Sequence, residues 1–227
     1  MITLARYHEF VERVEELGFM FFSSLLPGFP SLAGETDEGQ WHTGDRETDP
    51  WCWKDRAAEE KKLAYGCILG GHKGFVSPQW YPFFHAACHP EDSMEERKRA
   101  GLVSQATWQL WNLFDDRMRL STSDIRRRMG VKSKKNAGRV DRATRELQQY
   151  YYITVCGRTH KVNIYGEPYG WAINLFERVS DWVPSEWMKD YASLSREEAR
   201  EALLERGLSM AGSISRQALA KMLGFRP

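Results

Sequence analysis

Apolar residues recur at helical spacing at Phe10, Val11, Val14 and Leu17, with Arg6, Glu9, Glu12, Arg13 and Glu16 between them. This pattern predicts an amphipathic opening helix from Thr3 to Leu17, stopped at Gly18. From Leu26 to Pro50 the chain gathers Pro27, Gly28, Pro30, Gly34, Gly39, Gly44 and Pro50 among polar residues, and it reads as a long ordered loop. A second helix is predicted from about Trp51 to Tyr65, ended by Gly66, Gly70 and Gly71. Ser77 followed by Pro78 has the form of an N-cap with proline at the first helical position, leading through Trp80, Phe83 and Phe84. Ser93 opens a short charged helix that stops before Gly101, to which no role is assigned.

From Ser104 the periodicity is more regular. Trp108, Trp111, Phe114 and Met118 lie three or four apart along a helix ending near Arg117, and Leu120 then forms a short strand or a turn. Ser121 stands three before Asp124 as a capping box, opening a brief helix through Ile125 and Met129 that Gly130 closes. Between Gly138 and Gln149, Val140, Ala143, Thr144 and Leu147 share one face, which puts Arg139, Arg142, Arg145 and Gln149 on the other. Tyr150 to Cys156 is strand-like, Gly157 to Gly170 is rich in turn residues, and Ala172 to Val179 returns as a strand. Helix, helix, helix, strand, loop, strand is the order of a winged helix-turn-helix.

The expected fold class is therefore mainly α with small β-hairpins (α+β), a winged helix-turn-helix joined to a helical N-terminal region. Residues 1–103 would form the helical region with its loop and residues 104–184 the winged-helix domain. Residues 185–227 would form a C-terminal helical pair from Arg196 to Arg206 and Ser215 to Leu223, either a plain hairpin or an incomplete further helix-turn-helix.

At 227 residues and 42% apolar the chain can bury a core. Its mean hydropathy of −0.57 and its lack of a long apolar run exclude a spanning helix, and its start lacks the plan of a signal peptide, so a soluble cytoplasmic protein is expected. Cys52, Cys67, Cys88 and Cys156 form no C-x-x-C pair, and neither a disulfide framework nor a four-cysteine zinc site is indicated. The net charge of +1 conceals a strong division. Between Arg119 and Val162 there are twelve lysines and arginines against Asp124, Asp141 and Glu146 alone, so the rest of the chain is acidic on balance. A cationic segment on a helix and a hairpin suits a polyanion, which makes duplex DNA the expected partner and a nucleoid-associated location the corollary. The expected contacts are Arg139, Arg142 and Arg145 from the helix, Lys132, Lys134 and Lys135 from the turn before it, and Arg158 and Lys161 from the hairpin.

Nine tryptophans are heavy usage, and helical spacing explains Trp108 and Trp111 as core. Trp51 and Trp53 stand beside Lys54 and Arg56, and they read either as core or as rings that stack on an unpaired base. His85, Cys88 and His89 have helical spacing for a zinc site but lack paired partners, so packed side chains are the expectation and no metal or other cofactor is assigned. There is no phosphate-binding loop, dinucleotide fingerprint, H-E-x-x-H or G-x-S-x-G motif. The carboxylates Glu35, Asp37, Asp45, Asp49, Asp55, Glu59 and Glu60 include no identifiable general base, and the catalytic residues stay unassigned.

Leu120 to Met129, the helix from Gly138 to Gln149, the strand Tyr150 to Cys156 and the return ending in Glu177, Arg178 and Val179 together resemble the AlkZ/YcaQ-type winged-helix DNA glycosylases. Upstream, Trp51 to Ala58 followed by Pro78 to Pro82 is similar to that family's aromatic and alanine-rich stretch, so the resemblance covers about residues 1–184. It implies a DNA-repair protein that holds damaged duplex DNA, whose active relatives excise alkylated bases or unhook crosslinks through a Gln-x-Gln or Gln-x-Asp motif without a metal. This chain departs from that pattern: Gln40, Gln79, Gln105, Gln109, Gln148, Gln149 and Gln217 are never followed two residues later by Gln or Asp. The sequence thus points to a non-catalytic DNA binder, with an active glycosylase and a protein-interaction module as the alternatives.

Overall fold

The computed structural model describes residues 3–115, 117–131, 134–163, 165–189, 191–211 and 214–225, and the side chains of residues 134–136 lie outside that description. The opening helix α1 (Tyr7–Leu17) ends at Gly18, whose φ of +86 and close approach to the Trp80 ring leave no room for a side chain. Strand β1 (Phe19–Phe21) follows, and then the expected long loop, which contains two short 3-10 turns. Helix α2 (Pro50–Glu59) starts at Asp49, whose carboxylate accepts the backbone N–H groups of His42, Gly44 and Trp51 and so ties the end of that loop to the helix.

Where the second helix was expected to continue to Tyr65, the chain instead turns through Lys61 at a φ of +51 into β2 (Ala64–Leu69). The Gly70–Gly71 turn connects β2 to β3 (His72–Val76). The next helix, α3 (Tyr81–Cys88), begins one turn beyond the expected Ser77 cap. Ser93 does cap α4 (Met94–Arg99). Helix α5 (Gln105–Trp111), strand β4 (Leu120–Ser121), α6 (Thr122–Arg128) with its Ser121–Asp124 capping box, and α7 (Lys134–Gln149) come next. Strands β5 (Ile153–Val162) and β6 (Pro168–Arg178) lead to a short α8 (Val179–Trp182), then α9 (Arg196–Met210) and α10 (Arg216–Met222).

The strands form one six-stranded antiparallel sheet in the order β1-β3-β2-β5-β6-β4. Its alternating side chains feed two cores. Met20, Tyr65, Phe75, Val155 and Phe176 face a layer that holds Phe10, Trp53, Leu110, Val140 and Leu147. Phe19, Ala64, Val76 and Cys156 face a layer that holds Phe84, Trp182, Leu203 and Leu219.

This arrangement corrects the expected fold class. The protein is not mainly helical with a winged helix-turn-helix, because the β5–β6 hairpin lies inside the sheet, paired to β2 through Tyr65 and Val155 on one side and to β4 on the other. It is an α+β fold built on that sheet, and the sheet draws strands from both residues 1–103 and residues 104–184. The missed strands β1 and β2, and the end of β3 from Gly74 to Val76, are buried on both faces, where the alternation that marks a half-exposed strand is lost. Among the described residues no helix is long and apolar enough to cross a membrane.

Candidate nucleic-acid interface

Helix α7 packs Val140, Ala143 and Leu147 inward, with Thr144 bonded back to the Val140 carbonyl. The opposite face presents Arg139, Arg142 and Arg145 to solvent, and among the described residues no ion pair holds any of the three. Arg145 leans toward the β2–β3 turn. There its charge adds to burial in lowering the His72 pKa, and it helps to counter the burial that raises the Cys67 thiol.

Several neighbouring cations are already matched. Arg126 makes a bidentate bridge to Asp141 at 2.8 Å, Arg127 pairs with Asp124 at 2.7 Å, and Arg119 pairs with the buried Glu177 at 3.0 Å. The positive surplus counted along the sequence is therefore reduced at these positions and left uncompensated on the outer face of α7. Lys132 lies outside the described residues; Lys134 and Lys135 open α7, but their side chains are not described.

The two hairpin cations diverge. Lys161 is exposed and lines a recess of about 490 Å³ together with Thr122, Ser123, Arg126 and Arg127 of α6. Arg158 turns inward: just after a bulge between Val155 and Gly157 it reaches α2, where its Nη1 lies 3.6 Å from Cys52 Sγ and 3.9 Å from Asp55 Oδ2. It is a partner of the buried α2 charges, which leaves Lys161 as the outward cation of the hairpin.

At that seam Lys54 donates to Asp55 at 2.7 Å, with both side chains almost wholly buried. Burial drives the lysine pKa down and the aspartate pKa up, and the pair's mutual attraction opposes both shifts. The Lys54 ammonium rests 4.5 Å from the Trp51 ring and 5.7 Å from the Tyr65 ring, so the remaining donors face π surfaces.

The two candidate stacking rings also separate. Trp53 is fully buried, stacked on Phe10 at 5.6 Å and bonded through Nε1 to the Glu47 carbonyl; it is a core residue with no face to offer a base. Trp51 is half-buried and lies 5.0 Å from His42, whose ring meets Trp171 of β6 at 5.9 Å. Trp171 is 74% exposed, as are Tyr165 (80%) and Tyr169 (52%) near the end of the hairpin. Sequence reasoning missed these rings because Gly166 and Gly170 made their segment read as turn, although three aromatics within seven residues of an exposed hairpin were a legible signal.

The loop carboxylates have internal partners. Besides the Asp49 cap, Glu35 holds Arg13 at 3.0 Å and Glu60 holds Arg56 at 2.7 Å. His85 and His89 stack at 4.5 Å, and burial together with the neighbouring imidazole lowers the His85 pKa to about 3. Among the described residues no group of three or more His, Cys, Asp or Glu is placed to hold a metal ion.

No curated protein and no solved structure matches the chain. A family model described as AlkZ related matches residues 4–224. That span is nearly the whole sequence, and the chain thus belongs to the AlkZ-related family, which ties it to DNA repair of the glycosylase kind.

Proposed function

We propose that this protein holds duplex DNA against the outer face of α7 and the adjoining hairpin, without excising bases. Arg139, Arg142 and Arg145 contact phosphates along the groove, assisted by Lys132, Lys134 and Lys135. Lys161 takes a further phosphate at the α6–hairpin recess, beside Thr122 and Ser123. The exposed Trp171 and Tyr169 stack on an unpaired or distorted base, next to Trp51, which gives the surface a preference for damaged duplex.

The observation that carries this reading is the row of three arginines, exposed and without an acidic partner among the described residues, in a chain that balances so many of its other cations internally. Family membership supports the DNA partner, and the absence of any Gln-x-Gln or Gln-x-Asp supports binding without excision. The test is incubation of saturating protein with alkylated and with crosslinked duplex. Retarded DNA without new abasic sites is expected. Abasic sites appearing at catalytic rates would overturn the non-catalytic part, and failure to retard any duplex at low salt would overturn the whole.

A further inference from the structure

The C-terminal helices enclose a second basic surface away from the hairpin. A groove of about 840 Å³ runs between α9, α10 and the end of α7, a volume within the range of small-ligand sites. Its walls carry the cations Arg200, Arg216 and Lys221 and the amides Gln149 and Gln217, and among the described residues no acidic side chain lines it. The floor is apolar, with Phe225 beneath the Arg200 guanidinium at 5.5 Å. Tyr150 stands where this groove opens into an adjoining recess, and there the Arg97 guanidinium lies 5.3 Å from its ring.

The position of α10 is fixed by close backbone packing. Gly70, at a φ of +60, lies so close to the Met222 carbonyl that any side chain there would collide with it, so the β2–β3 turn acts as a stop for the end of α10. The groove is thus a built feature of the fold. Arg216 pairs with Glu201, which is not among the groove's lining residues, and among the described residues Lys221 has no ion-pair partner.

We infer that this groove binds a single unpaired deoxynucleotide. Cations without lining carboxylates select an anion, aromatic surface selects a base, and two amides offer both donors and acceptors to its edge. The orientation follows from α7. Its final carbonyls point toward the Gln149 side and carry partial negative charge, so the phosphate seats on Arg216 and Lys221 while the base lies against Tyr150 and Gln149. This inference stands apart from duplex binding on the outer face of α7.

The test is saturation-transfer NMR on the full chain with millimolar deoxynucleoside 5′-monophosphate, alongside inorganic phosphate and an oligoglutamate peptide as competitors. Saturation of the base protons is expected. It should be lost in R216E/K221E and weakened about tenfold or more in R216Q/K221Q, the scale of one charge-assisted hydrogen bond, with both variants melting like the parent. R139E/R142E should retain it, which separates this site from the α7 face. The inference is overturned by absent base saturation, by an unchanged signal in both α10 variants, or by displacement with phosphate or oligoglutamate as effective as with nucleotide.

Discussion

Two sets of cations in this chain share composition and differ in fate. On the outer face of α7, Arg139, Arg142 and Arg145 stand in water without acidic partners among the described residues. At the α2–β5 seam, Lys54 and Arg158 are drawn onto Asp55 beneath the sheet's hairpin. A count of charge along the sequence treats Arg158 and Arg142 alike. Only the packing of α2 on β5 shows that one set is displayed and the other is structural, and a buried pair is held by geometry that a solvated cation does not need.

The largest effects should come from the seam. Asp55→Ala, which leaves Lys54 buried without its carboxylate, should cost about 3–5 kcal/mol in urea unfolding, and Lys54→Met, which leaves Asp55 with the more distant Arg158, should cost somewhat less. The K54M/D55L double variant should recover most of that loss, whereas R139A/R142A should stay within about 0.5 kcal/mol of the parent. A double variant as unstable as the sum of the singles would show that the pair is not coupled. The tryptophans extend the contrast. Trp53→Ala should cost about 3–5 kcal/mol through the cavity it leaves, and Trp171→Ala should leave stability within about 0.5 kcal/mol while weakening binding to duplex with an unpaired base. Equal effects on stability would remove the distinction between core and surface rings.

A smaller effect concerns pH. The unfolded chain takes up a proton at His85 near pH 6.5, whereas in the folded protein its pKa is lowered to about 3 by burial and by His89. Acid therefore favours unfolding. Between these values His85 alone should lower stability by about 1.4 kcal/mol per pH unit as pH falls, with little change above neutrality. His85→Phe should flatten that slope in thermal melts recorded from pH 7 to 4, and an unchanged slope would place the acid sensitivity elsewhere.

What was legible in the sequence follows the same division between solvent and interior. Helices α1 and α7 each have one wet face, so Phe10, Val14 and Leu17, and Val140, Ala143 and Leu147, announce their buried sides at helical spacing. Strands β1 and β2 carry no such mark. Phe19, Met20 and Phe21 are all buried, as are Ala64, Tyr65 and Ile68, because helices cover both faces of the sheet, and a short apolar run cannot be told from buried helix by period alone. That loss turned a hairpin integrated into a six-stranded sheet into an apparent free wing. The inward turn of Arg158 was illegible for another reason: it depends on the bulge between Val155 and Gly157 and on the position of α2, where Cys52 lies 106 residues upstream, and no local pattern encodes it.

The central claim is that the α7 arginines meet phosphate, and the most direct measurement is the dependence of duplex Kd on salt between about 50 and 200 mM, a range over which phosphate contacts are released. For the parent, the log-log slope should correspond to about 4 to 8 neutralised phosphates, and R139A/R142A/R145A should lower it by about three units, near one per arginine. A parent whose affinity is indifferent to salt, or a triple variant with the parent's slope, would contradict the account.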